Sequence, residues 1–221
     1  MLTSRSTSYL SALLVSFSVF SATPVFSQAS NAVAAIATLA EAEQPKLLET
    51  LKALVNIETG STHRDGLDTA AEFVAARLKA LGGEVEIVEA PVADIYQLEG
   101  LPDRIGRAVR GTFRGSGSKR ILLIAHMDTV YPVGMLSKQP FRIDGDRAYG
   151  LGIADDKQGV ATIIHVVSML QTLNARDYGV LTVLINGDEE ISSPASRKLI
   201  AKLGSEHDAV LSFEASRHNS D

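Results

Sequence analysis

Apolar and polar positions divide this chain into alternating helical and extended segments. Ile121 to Ala125 is wholly apolar, set between Lys119-Arg120 and His126, and such a run reads as a buried, parallel-type strand. Val180 to Ile185 repeats that pattern, and Ala209 to Phe213 gives a shorter version. Val85, Ile87 and Val88 form another short strand, and Ala108 to Arg114 alternates like a half-exposed one. Gly115-Ser116-Gly117-Ser118 reads as a hairpin turn joining that strand to the Ile121 run. Phe141 to Tyr149 reads as a second hairpin, turning at Asp144-Gly145-Asp146.

Helical spacing separates these runs. Asn31 to Ala40 is Ala-rich, and Gln44-Pro45 then opens a better helix, with proline at a first-turn position where its missing N–H is harmless. Leu47, Leu48, Leu51, Leu54 and Val55 share its inner face, and Thr59-Gly60-Ser61-Thr62 ends it. A second helix runs from about Leu67 to Leu81, burying Ala70, Ala71, Val74 and Leu78, and Gly82-Gly83 supplies a left-handed stop. A third spans about Lys157 to Leu173, with His165 as a packed or rim residue. A fourth starts at Ser193-Pro194 and reaches Leu203, closed by Gly204. The alternation of strands and helices predicts an α/β fold.

In open α/β sheets, ligands bind beyond the carboxyl ends of the strands. His126 and Asp128 stand at one such end, Asp188-Glu189-Glu190 at a second and Glu214 at a third, while Asp155-Asp156 opens a helix. If the strands are parallel, all these side chains share one sheet edge. Crowded carboxylates there need protonation, a salt bridge or a cation. The chain has no cysteine, so a transition-metal site must use His, Asp and Glu, a donor set that zinc accepts. Two metals sharing a carboxylate would clamp an attacking hydroxide and a scissile carbonyl. Plainer readings exist for each part. A lone histidine after a strand is usually structural, Asp-Glu-Glu after a strand is usually a solvated turn, and Asp155-Asp156 can simply complement a helix dipole. Their co-location at strand ends is what favours the metal.

Two nucleotide-binding readings fail. Gly115 to Lys119 lacks the Gly-Lys-Ser/Thr order and precedes a strand rather than a helix. Gly150-Leu151-Gly152 places Asp155 where a dinucleotide fingerprint has its third glycine, and a carboxylate there repels a pyrophosphate. His63, His207 and His218 show no partner pattern.

Composition narrows the picture further. In 221 residues, 45% are hydrophobic and 21% charged, which is ordinary for a globular chain able to bury a core. A net charge of -5 disfavours nucleic acid as a partner. Residues 1–27 read as a signal peptide: Arg5, an apolar and Ser-rich core from Leu10 to Phe20, then Val25-Phe26-Ser27 as the cleavage region. That core falls short of the roughly 20 residues of a membrane span, so no stable membrane anchor is expected, an uncleaved anchor being the competing reading. The expected location is exported, periplasmic or secreted, with residues 28–221 left to fold.

His126-Met127-Asp128-Thr129-Val130, Gly150 to Lys157, Asp188-Glu189-Glu190 and Leu211-Ser212-Phe213-Glu214 occur in the order of a dizinc metallopeptidase family containing aminoacylases and glutamate carboxypeptidases. Leu54-Val55-Asn56-Ile57-Glu58-Thr59-Gly60 and Arg176-Asp177-Tyr178-Gly179 resemble its bacterial, folate-cleaving glutamate carboxypeptidases most. The resemblance implies a three-layer αβα catalytic domain with a mostly parallel central sheet. It assigns His126 and Glu214 to one zinc, Glu190 to the other and Asp155 to both, with a cis Asp155–Asp156 peptide. Asp128 resembles the carboxylate that orients the metal-binding histidine, and Glu189 the general base. The implied substrate is a small molecule or peptide ending in glutamate; an aminoacylase or dipeptidase, or a non-catalytic exported metal-binding protein, is the alternative. Relatives of this type continue into a lid and dimerisation domain and back, supplying a further histidine ligand. Residues 28–221 are therefore expected to be the N-terminal portion of the catalytic domain, inactive or impaired alone, of a parent that forms a homodimer.

Overall fold

The computed structural model describes residues 25–215, with side chains from residue 33 onward. Most of the expected signal peptide, and His218, lie outside the described residues. The chain divides into two units, Met1–Thr38 and Leu39–Asp221. The described part of the first unit is the opening stretch of helix α1 (Val25–Val55), and everything below concerns the second.

After α1 come α2 (Arg64–Ala80), β1 (Glu84–Val88), β2 (Ala108–Arg114), β3 (Arg120–His126), a hairpin of β4 (Arg142–Asp144) and β5 (Arg147–Tyr149), and α3 (Gln158–Thr172). The chain then forms β6 (Val180–Asn186), α4 (Arg197–Glu206) and β7 (Ala209–Ser212). Ala-rich sequence carries α1 back beyond Gln44, so Pro45 lies inside the helix rather than in its first turn. Helix α2 buries the alanines, valine and leucines that its spacing indicates, and Gly82 stops it at φ 84.

Five strands form one sheet in the order β1-β2-β6-β3-β7. The β6–β3–β7 part is parallel, as the apolar runs imply, while β1 and β2 join antiparallel, which makes the sheet mixed. Gly115 to Ser118 is not a hairpin turn between β2 and β3, because β6 lies between them. Its glycines serve a close approach instead: Gly115 and Gly117 donate to the carbonyls of Gly179 and Tyr178, and a Cβ on Gly117 would sit 1.6 Å from the Asp177 carbonyl oxygen.

Alternate residues of each strand feed opposite faces. Leu123, Ala125, Val183 and Ile185 pack with Leu54, Leu67, Val74, Leu78, Val160 and Ile163 of α1, α2 and α3. Leu122 and Leu184 pack on the other face with Leu203, Leu199 and Ile200 of α4. The result is three layers with a mixed sheet in the middle. The last helix begins at Arg197, not at Ser193-Pro194, and Gly204 lies within it. Ser192 and Ser193 adopt left-handed φ values of 72 and 53, and the Ala195 and Ser196 amides donate to Asp188, so this stretch is an anchored loop. Among the described residues no helix is long and apolar enough to cross a membrane.

Candidate metal centre

Register places the acidic residues together. His126 of β3 pairs with Asn186 of β6, so Asp128 and the Asp188–Glu190 turn leave the sheet at the same edge. The Phe213 amide still bonds to Ile124, which brings Glu214 to that edge as well. Asp155 and Asp156 arrive from the turn before α3, and the peptide between them is cis.

His126 is buried at the floor of this edge, 2% exposed, with Nε2 turned to the carboxylates. That nitrogen lies 3.0 Å from Asp155 Oδ1, 3.6 Å from Glu214 Oε1 and 3.9 Å from Glu189 Oε2. One donor atom each from His126, Asp155 and Glu190 fall within 4.8 Å of one another, close enough to share a metal ion. Glu214 approaches the histidine without joining that tightest group.

Asp128, fully buried, organises the edge from behind. Its Oδ1 accepts the Glu189 amide at 3.0 Å and lies 3.3 Å from His126 Nδ1. Its Oδ2 accepts the Glu190 amide at 3.1 Å and the Ser61 hydroxyl at 2.8 Å. One carboxylate therefore faces the imidazole and both glutamates of the acidic turn.

The electrostatics are those of a site short of positive charge. Burial pushes Glu190 up to about 7, helped by the charge of Asp155, and it pushes Asp156 up to about 6. Burial raises Glu189 too; the charge of His126 opposes the rise, and those of Glu214, Asp128 and Asp155 add to it. For His126, burial works against the charged form, yet the hydrogen bond and charge of Asp128, with Asp156 and Glu189, raise it to about 10. Asp156 Oδ2 is buried with no hydrogen-bond partner, although Oδ1 takes the Gly159 amide. An all-oxygen-and-imidazole donor set, crowded and under-neutralised, fits a divalent cation of the zinc kind.

All six site residues singled out from the sequence, His126, Asp128, Asp155, Glu189, Glu190 and Glu214, meet at this edge. Two supporting groups were not singled out. Asp188, fully buried, accepts from the Ala195 and Ser196 amides and from Asn186 Nδ2, which pins the loop after the glutamates. Ser61 lies on a strap formed by residues 59–61, whose backbone exchanges hydrogen bonds with Thr129. Gly60 marked that strap in the sequence, since a Cβ there would lie 2.3 Å from the Tyr131 carbonyl oxygen. The other described histidines are structural: His165 bonds Thr50 and Glu43, His63 the Glu58 carbonyl, and His207 Thr182 and the Leu203 carbonyl.

One imidazole and several carboxylates, delivered by three strands and a helix start to one edge of an αβα sandwich, form a candidate metal centre. Residues 122–219 match the model of Peptidase family M20/M25/M40. The chain is 45% identical to Carboxypeptidase G2 of Pseudomonas sp. (strain RS-16) across 78% of its own length and 39% of that protein's. It is 31% identical to a putative succinyl-diaminopimelate desuccinylase of Mycobacterium tuberculosis, across 67% of its length and 35% of that protein's. Its fold matches the dipeptidase Dug1p of Saccharomyces cerevisiae with a TM-score of 0.67 at 20% identity, covering 80% of this chain and 40% of that one. The chain thus spans about two fifths of the length of the relatives it matches.

Proposed function

We propose that this chain supplies metal ligands and the general base of a zinc-dependent hydrolase that releases a C-terminal glutamate from an amide, folates and N-acyl or peptidyl glutamates being the substrate class. The grouping of His126, Asp155 and Glu190 beside Glu189 carries the proposal. Similarity to a carboxypeptidase at 45% identity supports cleavage at a C-terminal residue. In this reading His126 and Glu214 would hold one ion and Glu190 a second, with Asp155 available to both.

Zinc bound there would lower the pKa of a water molecule and polarise the scissile carbonyl. Glu189 takes the proton from the attacking water and delivers it to the leaving amine nitrogen, so that an amide and water become a carboxylic acid and free glutamate. Burial raises its pKa, the direction that favours taking the proton. Asp128 holds the His126 ring with Nε2 towards the metal and fixes the backbone of Glu189 and Glu190. Export directed by residues 1–27 and homodimerisation through a domain outside the matched residues belong to the same reading.

The test is a chimera in which this chain's aligned residues replace those of Carboxypeptidase G2. Zinc-dependent glutamate release that Glu189→Gln lowers by about 10²-fold or more is expected. A folded, zinc-loaded chimera that ignores glutamate amides refutes the substrate. Cleavage of other N-acyl amino acids or dipeptides by that chimera would favour the second reading, which the likeness to a desuccinylase supports. Equal output with and without the Glu189 carboxylate would leave a metal-binding protein without catalysis.

A further inference from the structure

The strap before α2 reaches the metal centre at a single side chain. Ser61 is 7% exposed, and its hydroxyl donates to Asp128 Oδ2 at 2.8 Å, the shortest of the contacts to that carboxylate. The strap is placed by backbone: Thr129 N–H bonds to the Thr59 carbonyl at 2.9 Å and Ser61 N–H to the Thr129 carbonyl at 3.1 Å. Gly60 pairs with Thr129 as an isolated parallel bridge, which adds one rung to the sheet just past the end of β3. Two buried hydroxyls lie on this strap, and they are treated differently. Thr59 Oγ1 has no hydrogen-bond partner at all, whereas Ser61 Oγ lies 2.8 Å from Asp128 Oδ2 and, more distantly, 3.4 Å from the Thr129 carbonyl oxygen.

We propose that Ser61 is a positioning residue for the metal centre: its hydroxyl fixes the rotation of the Asp128 carboxylate, and through it the His126 ring and the Glu189–Glu190 turn. The proposal rests on the reading of this edge as a metal site. A carboxylate with two backbone N–H groups and an imidazole around it can still pivot about its last torsion, because a terminal sp³–sp² torsion is broad. The amides of Glu189 and Glu190 come from one short turn, so they constrain the carboxylate from one direction. Ser61 comes from a separate element, 67 residues away in sequence and tied to Thr129 by backbone, and closes that freedom. Because Asp128 touches the histidine and both glutamates, loosening it disturbs donors from both halves of the site together.

The experiment is a cobalt(II) titration of the metal-free 221-residue chain, read by visible absorption, with Ser61→Ala, Ser61→Thr and Thr59→Val beside the unchanged protein. Loss of an outer partner of a metal site typically weakens binding 10- to 100-fold. Ser61→Ala leaves the other Asp128 contacts in place, so a roughly tenfold weaker cobalt affinity with altered d–d bands is expected. Ser61→Thr keeps the hydroxyl and restores the affinity. Thr59→Val alters the same strap without touching Asp128 and leaves affinity and bands unchanged. Faster hydrogen exchange at the Glu189 and Glu190 amides in metal-free Ser61→Ala is the companion readout. Equal affinity, bands and exchange in Ser61→Ala and the unchanged protein overturn the proposal while the metal centre stands. An equal loss in Thr59→Val overturns it in favour of strap packing. No cobalt uptake by any variant, the unchanged protein included, overturns the metal reading and this proposal with it.

Discussion

Replacing Asp128 by asparagine keeps the volume of the side chain and turns one acceptor oxygen into an NH₂ donor. Three donors hydrogen-bond that carboxylate: the Glu189 amide at Oδ1, and the Glu190 amide and the Ser61 hydroxyl at Oδ2. His126 Nδ1, which bonds the Asp128 backbone carbonyl at 3.2 Å, lies 3.3 Å from Oδ1. Only the Ser61 hydroxyl can rotate to become an acceptor. With its nitrogen in the Oδ1 place, asparagine opposes the Glu189 N–H; in the Oδ2 place it opposes the Glu190 N–H. Either orientation leaves a backbone donor without an acceptor, which costs about 1–3 kcal/mol when buried. The charge-assisted contact to the His126 imidazolium, about 1.5–3 kcal/mol, also goes. Relief of crowding with Glu189, Glu190 and Asp155 offsets part of this. The expected net loss for the metal-free protein is about 2–4 kcal/mol at pH 7, read as a lower urea midpoint with unchanged slope. A loss below about 0.5 kcal/mol would refute the argument that Asp128 holds this edge together.

Two further outcomes follow from the same geometry. Glu43 is nearly buried, and its hydrogen bond with Lys46, with a lesser one from His165, outweighs desolvation and holds its carboxyl below the usual 4.5. A group depressed in the folded state contributes stability above its unfolded pKa and loses it as pH falls through the folded value. Glu43→Gln should therefore cost about 1 kcal/mol at pH 7, and urea unfolding should show the difference shrinking below pH 4.5; a gap that widens in acid contradicts the pairing. Gly60→Ala puts a Cβ 2.3 Å from the Tyr131 carbonyl oxygen, so the strap must move. It should lower thermal stability and weaken cobalt binding together, and a variant that melts and binds like the unchanged protein would show that the strap is not fixed there.

The parts of this structure legible in the sequence are those encoded locally. His126 could be placed because a wholly apolar run ended at it, and Asp188 to Glu190 because the next run ended the same way. Helix α2 declared itself by spacing and by Gly82. What stayed hidden depends on partners far along the chain. An apolar run says that β6 is buried on both faces but not that it inserts between β2 and β3, so the glycines of 115–118 looked like a turn when they serve a close backbone approach. Ser193-Pro194 has the form of a helix start, yet Asp188 captures the amides that a first turn would leave free, and the helix waits until Arg197. Ser61 looked like the tail of a helix because nothing within its own segment reveals Asp128.

The central claim is that His126 Nε2 and neighbouring carboxylates form one metal centre, and X-ray absorption at the zinc edge tests it most directly. Zinc-loaded protein should show nitrogen and oxygen at about 2.0–2.2 Å, with the outer-shell signature of a single imidazole that disappears in His126→Ala. An unchanged spectrum in His126→Ala, or the signature of two or more imidazoles per zinc, would contradict it.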